Sequence, residues 1–123
     1  MLRRTAMPAP VRAVFAAEMA AARRPGPINE RWRAAERAHI VSQPWPGPHT
    51  RTHAVMLRLG VAERDLVEVL GQLARLAVAG VGSAAGKYPS GNTGRTRAGL
   101  NTPMPIPGDL AALLEAAGIR LEA

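Results

Sequence analysis

The stretch "ERAHIVSQPWPGPHTRTHAVMLRLG", residues 36–60, joins two segments of helical character through a corner of three prolines. Pro44 pushes the residue before it out of helical backbone. The corner "PWPGP" (44–48) is short, stiff and poor in N–H donors. Upstream, "INERWRAAERAHIVSQ" (28–43) places Ile28, Trp32, Ala35 and His39 on one helix face, with Asn29 as its cap. Downstream, a helix runs from Pro48 to a stop at Gly60. So short a corner folds the two helices back to back as a hairpin.

Working outward, "PAPVRAVFAAEMAAARRPGP" gives a helix over 10–24. Val11, Val14, Phe15, Met19 and Ala22 form its core stripe, and "PGP" at 25–27 ends it. Beyond Gly60, a fourth helix over 62–80 has the most regular stripe, Leu66, Val69, Leu70, Leu73, Leu76 and Ala77. Glu63, Asp65 and Glu68 gather near its amino end, where the helix dipole favours them; Asp65 and Glu68 are assigned to its polar face. Residues 81–108 are saturated with Gly and Pro and have neither helical nor strand periodicity. Asp109 then caps a short last helix over 109–117. The expected fold is all-α: two antiparallel helical hairpins, a long irregular segment and a terminal helix, in a single domain over 1–123.

Composition narrows the chemistry. The chain has no cysteine, which removes disulfides and thiolate ligands. Any metal site must therefore use imidazole and carboxylate. The net charge is +7, but it is spread: residues 1–42 carry eight arginines against three glutamates, and no dense basic block occurs. A solvated basic surface accounts for this better than nucleic-acid binding. "MLRR" is followed by Pro8, Pro10, Arg12 and Glu18, which break up any secretion signal. With no uncharged apolar run of about 18 residues, no membrane span is expected and a cytoplasmic location is the simplest expectation.

All three histidines, His39, His49 and His53, fall inside the opening stretch. A turn centred near Trp45 sets residue 39 level with residue 51. His49 and His53 bracket that level, and at i, i+4 they share one helix face. The rings should converge. By the same construction the first hairpin brings Glu18 toward His39, while Glu36 forms a Glu-x-x-His pair with His39 as in carboxylate-histidine bundle sites. The candidate site is thus His39, His49 and His53 as ligands, with Glu18 and Glu36 as ligand, orienting group or general base. The ion is a divalent transition metal: zinc, iron, copper or nickel. The competing account makes the histidines structural and pairs both glutamates with nearby arginines.

Other motifs are weaker. Gly82-x-x-x-Gly86-Lys87 is one residue short of a phosphate loop, and Tyr88 stands where Ser or Thr is needed. Lys87, Arg95 and Arg97 remain as an anion-binding group, and "GNTG" (91–94) reads as a turn in which Asn92 and the glycines adopt left-handed backbone. Two rival functions stand beside metal binding. One is an interaction module, pairing as a homodimer or holding a protein partner through 81–108; the other is a basic nucleic-acid binder.

The order "ERAHIVSQP", "PHTRTHAVMLRLG", "GNTG" and "PMPIP" resembles a family of small bacterial proteins known only as a conserved domain of unknown function. The resemblance runs from about Phe15 to Leu114 and implies no activity, cofactor or catalytic residue.

Overall fold

The computed structural model of the chain describes residues 6–100 and 102–119. "MLRR" lies outside them. Among the described residues there are five α-helices and no strand: α1 (Ala9–Arg23), α2 (Ile28–Ser42), α3 (Pro46–Ala62), α4 (Leu66–Ala84) and α5 (Gly108–Ala116), with one 3-10 turn at Thr96–Ala98. Helix α1 packs on α2, α2 on α3 and α3 on α4, while α5 closes over α1 and α2. The all-α expectation holds. The core stripe of α1 is largely as expected: Val11, Phe15, Met19 and Ala22 are buried, with Val14 partly buried beside them, against Trp32, Ala35 and Val41 of α2 and Met56 and Leu59 of α3.

The helix ends differ from expectation for local reasons. Helix α2 begins at Ile28 after extended Pro27, so Asn29 lies inside the first turn and does not cap it. Likewise α5 begins at Gly108 after Pro107, leaving Asp109 in the first turn. Helix α3 runs past Gly60 because that glycine serves packing: a Cβ there would lie 3.3 Å from Glu68 Cγ, where α4 crosses. Arg64 then takes a left-handed φ of 56°, and α4 starts only after Asp65, whose carboxylate accepts the Glu68 N–H at 3.2 Å. It ends at Ala84, so the irregular segment is shorter than expected.

The main correction concerns α4, whose apolar stripe faces outward. Leu66, Leu70 and Leu73 are 67%, 59% and 50% exposed. The face against α3 and the loop carries Glu68, Gln72, Arg75, Ala79 and Ser83, all buried. Glu68, assigned above to the polar face, does lie there, but that face is the inner one and Glu68 has no exposure at all. Helix α4 is also long and apolar enough, by length and composition alone, to cross a membrane. Counting only uncharged runs missed this, because Glu68 and Arg75 interrupt the sequence while sitting on the inner face.

Candidate metal centre

The proline corner does what its stiffness requires. Trp45 caps α3 in extended backbone and its carbonyl accepts from His49 N at 2.9 Å, so His49 enters the first turn of α3 directly beside the last turn of α2. His39, His49 and His53 are buried together, with ring centroids 4.7–5.1 Å apart. The Nε2 atoms of His39 and His49 are 3.0 Å apart, and those of His49 and His53 are 3.3 Å apart.

What faces the other nitrogens sets the tautomers. His39 Nδ1 lies 2.7 Å from the Asn92 carbonyl, which only accepts, so Nδ1 carries the proton. His49 Nδ1 lies 2.6 Å from Ser83 Oγ, and that hydroxyl donates its single proton to the Gln43 carbonyl at 2.6 Å; again Nδ1–H must donate. His53 Nδ1 lies 2.7 Å from Gln72 Oε1. The Gln72 amide nitrogen donates to Gly94 O at 2.8 Å and Glu68 Oε2 at 3.3 Å, which fixes its oxygen toward the ring. Each imidazole therefore gives its one proton outward through Nδ1. Three bare Nε2 lone pairs meet in the middle.

Burial also keeps the rings neutral. It pulls His49 down to about 3, with His53 adding to the effect, and His53 to about 4 against the upward pull of its Gln72 bond. His39 is held well below the usual value by burial and then by the other two rings. Neutral imidazoles with oriented Nδ1–H groups are the form in which histidine ligates metals. Nitrogens bound at 2.0–2.1 Å around a tetrahedral ion stand about 3.3 Å apart, close to the 3.0 and 3.3 Å that separate His49 Nε2 from those of His39 and His53. The three form a group able to hold a metal ion.

The glutamates lie elsewhere. Glu18 accepts from Arg37 Nε at 3.3 Å, and Arg37 also pairs with Asp109, tying α1, α2 and α5. Glu36 pairs with Arg95 Nη1 at 3.4 Å, and its pKa is raised by burial despite Arg95. Neither belongs to the three-histidine group. A buried carboxylate does stand behind the site, but it is Glu68, reaching His53 through Gln72. Burial pushes its pKa up, yet bonds from Thr96 N at 2.7 Å and Arg95 Nε at 2.5 Å outweigh that and hold it below the usual range.

The "GNTG" segment turns out to be the lid over this centre. Gly91 and Gly94 have φ of 79° and 85°, as a left-handed turn requires, but Asn92 does not share that conformation. Instead its side chain donates to Gly99 O at 3.1 Å and Thr102 O at 2.8 Å, and its carbonyl holds His39. A Cβ on Gly94 would lie 2.6 Å from His39 Cδ2. The proposed anion group of Lys87, Arg95 and Arg97 does not form as such. Arg95 stacks on Trp32 at 3.7 Å and pairs with Glu68 and Glu36, while Arg97 pairs with Asp65 at 2.8 Å. With Gly91, Asn92 and Gly94 buried on the helices, that part of 81–108 is committed to the chain's own fold.

Gln72, Ser83 and Asn92 were not singled out by the sequence as site residues. The available signal was the polar row Glu68, Gln72, Arg75 and Ser83 at helical spacing, which marks a buried polar face as clearly as a solvent one. No curated protein and no solved structure matches the chain. The family model described as a protein of unknown function, DUF3703, matches residues 9–114, most of the chain including all three histidines, and the protein belongs to that family.

Proposed function

We propose that the protein binds one divalent transition metal ion through Nε2 of His39, His49 and His53. The observation that carries this is the tautomer set: three Nδ1–H groups locked onto Asn92, Ser83 and Gln72 leave three lone pairs converging at 3.0 and 3.3 Å with no proton between them. Such an arrangement is repulsive on its own and favourable around a cation. Neutral imidazole suits zinc, copper, iron or nickel. Glu18 and Glu36 act here through their arginines, as ties between helices. Untagged protein prepared without chelator, loaded with each of the four ions and desalted, is expected to retain one equivalent by elemental analysis. Each single His→Ala variant should retain less than a tenth. Retention of no ion by the wild type, or equal retention by all variants, overturns the proposal.

The outer face of α4 supports a second reading, self-association. Six large apolar side chains of α4, among them Leu66, Leu70, Leu73 and Val81, are 47–72% exposed, an apolar face of the kind that marks an interaction surface. The face is graded, with leucines in its first half and the smaller Ala77, Val78, Val81 and Ala84 in its second. Antiparallel pairing about a two-fold axis would set the bulky half of one copy on the small half of the other. Light scattering on the eluting protein is expected to give a dimer, and Leu70→Glu a monomer that still binds metal. A wild-type monomer that sediments with anionic lipid vesicles would assign the face to a membrane instead.

A further inference from the structure

The three histidines lie in the lining of a cavity of about 390 Å³ between α4 and the 87–100 loop, within the size range of small-molecule sites. An ion on the three nitrogens would keep a coordination position directed into this space. The charges around it do not balance. The three ligands are neutral, so a divalent ion brings two uncompensated positive charges. Arg75, only 8% exposed, also lines the cavity, and so does Lys87. Among the described residues no carboxylate does.

Arg75 is an unusual cation. Its described bonds are to backbone carbonyls, Gly71 O and Thr96 O, both at 3.2 Å. The carboxylate whose charge it feels, Glu68, is already bridged to Arg95. Its own positive charge acts on both His39 and His53. A buried guanidinium beside a dication needs an anion, because burying charge without a counter-charge is costly. Gln43 and Asn92 also reach the lining, but the rest of the wall, including Ala77, Val78, Val81 and Leu100, is mostly apolar.

Resting on the metal reading above, we propose that this cavity binds a monocarboxylate with an apolar body: one carboxylate oxygen on the ion held by His39, His49 and His53, the other on Arg75, and the body against Val78, Val81 and Leu100. Guanidinium and carboxylate match in plane and charge, which favours this anion over a spherical one. The apolar walls favour a hydrocarbon tail over a bare anion.

Cobalt(II) loaded onto the three histidines serves as a visible probe, and its ligand-field bands shift when the fourth ligand changes. Titrating the cobalt-loaded protein with benzoate is expected to shift the bands, at a dissociation constant at least about tenfold below those for acetate and inorganic phosphate. Arg75→Gln should weaken benzoate about tenfold with cobalt stoichiometry unchanged. Should that variant fail to fold, the half-exposed wall variant Leu100→Ser supplies the same test, lowering the preference for benzoate over acetate. No uptake of cobalt or of any of the four ions above overturns the metal reading and this inference with it. Full uptake with bands indifferent to benzoate, or with benzoate no tighter than phosphate, overturns this inference alone.

Discussion

Gln72 Oε1 accepts from His53 Nδ1 at 2.7 Å while Gln72 Nε2 donates to Gly94 O at 2.8 Å. One amide thus sets the tautomer of one candidate ligand and anchors the loop whose Asn92 carbonyl sets that of another. Helix α4 is turned polar side inward: an apolar inner face would leave the N–H groups of His49 and His53 and the loop carbonyls of Gly94 and Thr96 without these partners.

Replacing Gln72 by Leu should therefore lower metal affinity about 10–100-fold, the usual effect of losing an outer partner of a ligating histidine. Two buried groups also lose their partner, at a cost of about 1–3 kcal/mol each. Competition against a chromogenic chelator measures the first and urea denaturation the second. Wild-type affinity in this variant would disconnect Gln72 from the centre.

Gly94→Ala places a methyl 2.6 Å from His39 Cδ2 in a backbone of φ 85°. Strain of this kind costs about 1–3 kcal/mol. Affinity and stability are expected to fall together, whereas Gly26→Ala, with open space around its Cβ, should change neither. Equal effects of the two would contradict the close approach.

Metal-free protein should lose stability in acid through the histidines. Their folded-state values, about 3 for His49, about 4 for His53 and well lowered for His39, lie below the unfolded value of about 6.5. Between these limits the unfolded chain binds more protons, so this contribution is complete above pH 6.5 and is lost as pH falls toward 4 and then 3. Unfolding free energies from urea denaturation at pH 7.5, 6 and 5 should decrease in that order, by a few kcal/mol overall. Flat values from 7.5 to 5 would show that the rings are not buried neutral.

The inverted helix predicts an inverted pattern of substitution. Glu68→Gln removes the charge that holds Arg95 and Thr96 and should cost about 2–3 kcal/mol. Leu70→Gln, on the outer face, should leave the stability of the single chain within about 0.5 kcal/mol when measured at high dilution. The opposite ranking would restore the leucine stripe to the core.

The histidine convergence was legible because it needs only two facts: a proline corner that fixes the level of α2 against α3, and the i, i+4 repeat that puts His49 and His53 on one face. The face of α4 was not. Periodicity shows that Leu66, Leu70 and Leu73 share a side, but not which side meets the protein, and the usual rule fails where a buried site needs hydrogen-bond partners. Glu18 and Glu36 were placed near the rings by helix geometry alone. Arg37 and Arg95 claim them, and Arg95 comes from a loop with no period from which its position could be read. The proline-preceded starts of α2 and α5 were missed similarly, because Asn29 and Asp109 are good caps by type while Pro27 and Pro107 fix the backbone one or two residues earlier.

The central claim is that three bare Nε2 atoms face one point. Long-range ¹H–¹⁵N correlation of the imidazole rings, recorded on metal-free protein at neutral pH and again with one equivalent of zinc, reads this directly. All three rings should be in the Nδ1–H form before zinc, and all three Nε2 resonances should move on its addition while Nδ1–H persists. A ring protonated at Nε2 in the metal-free protein, or Nε2 resonances unmoved by zinc, would contradict the account.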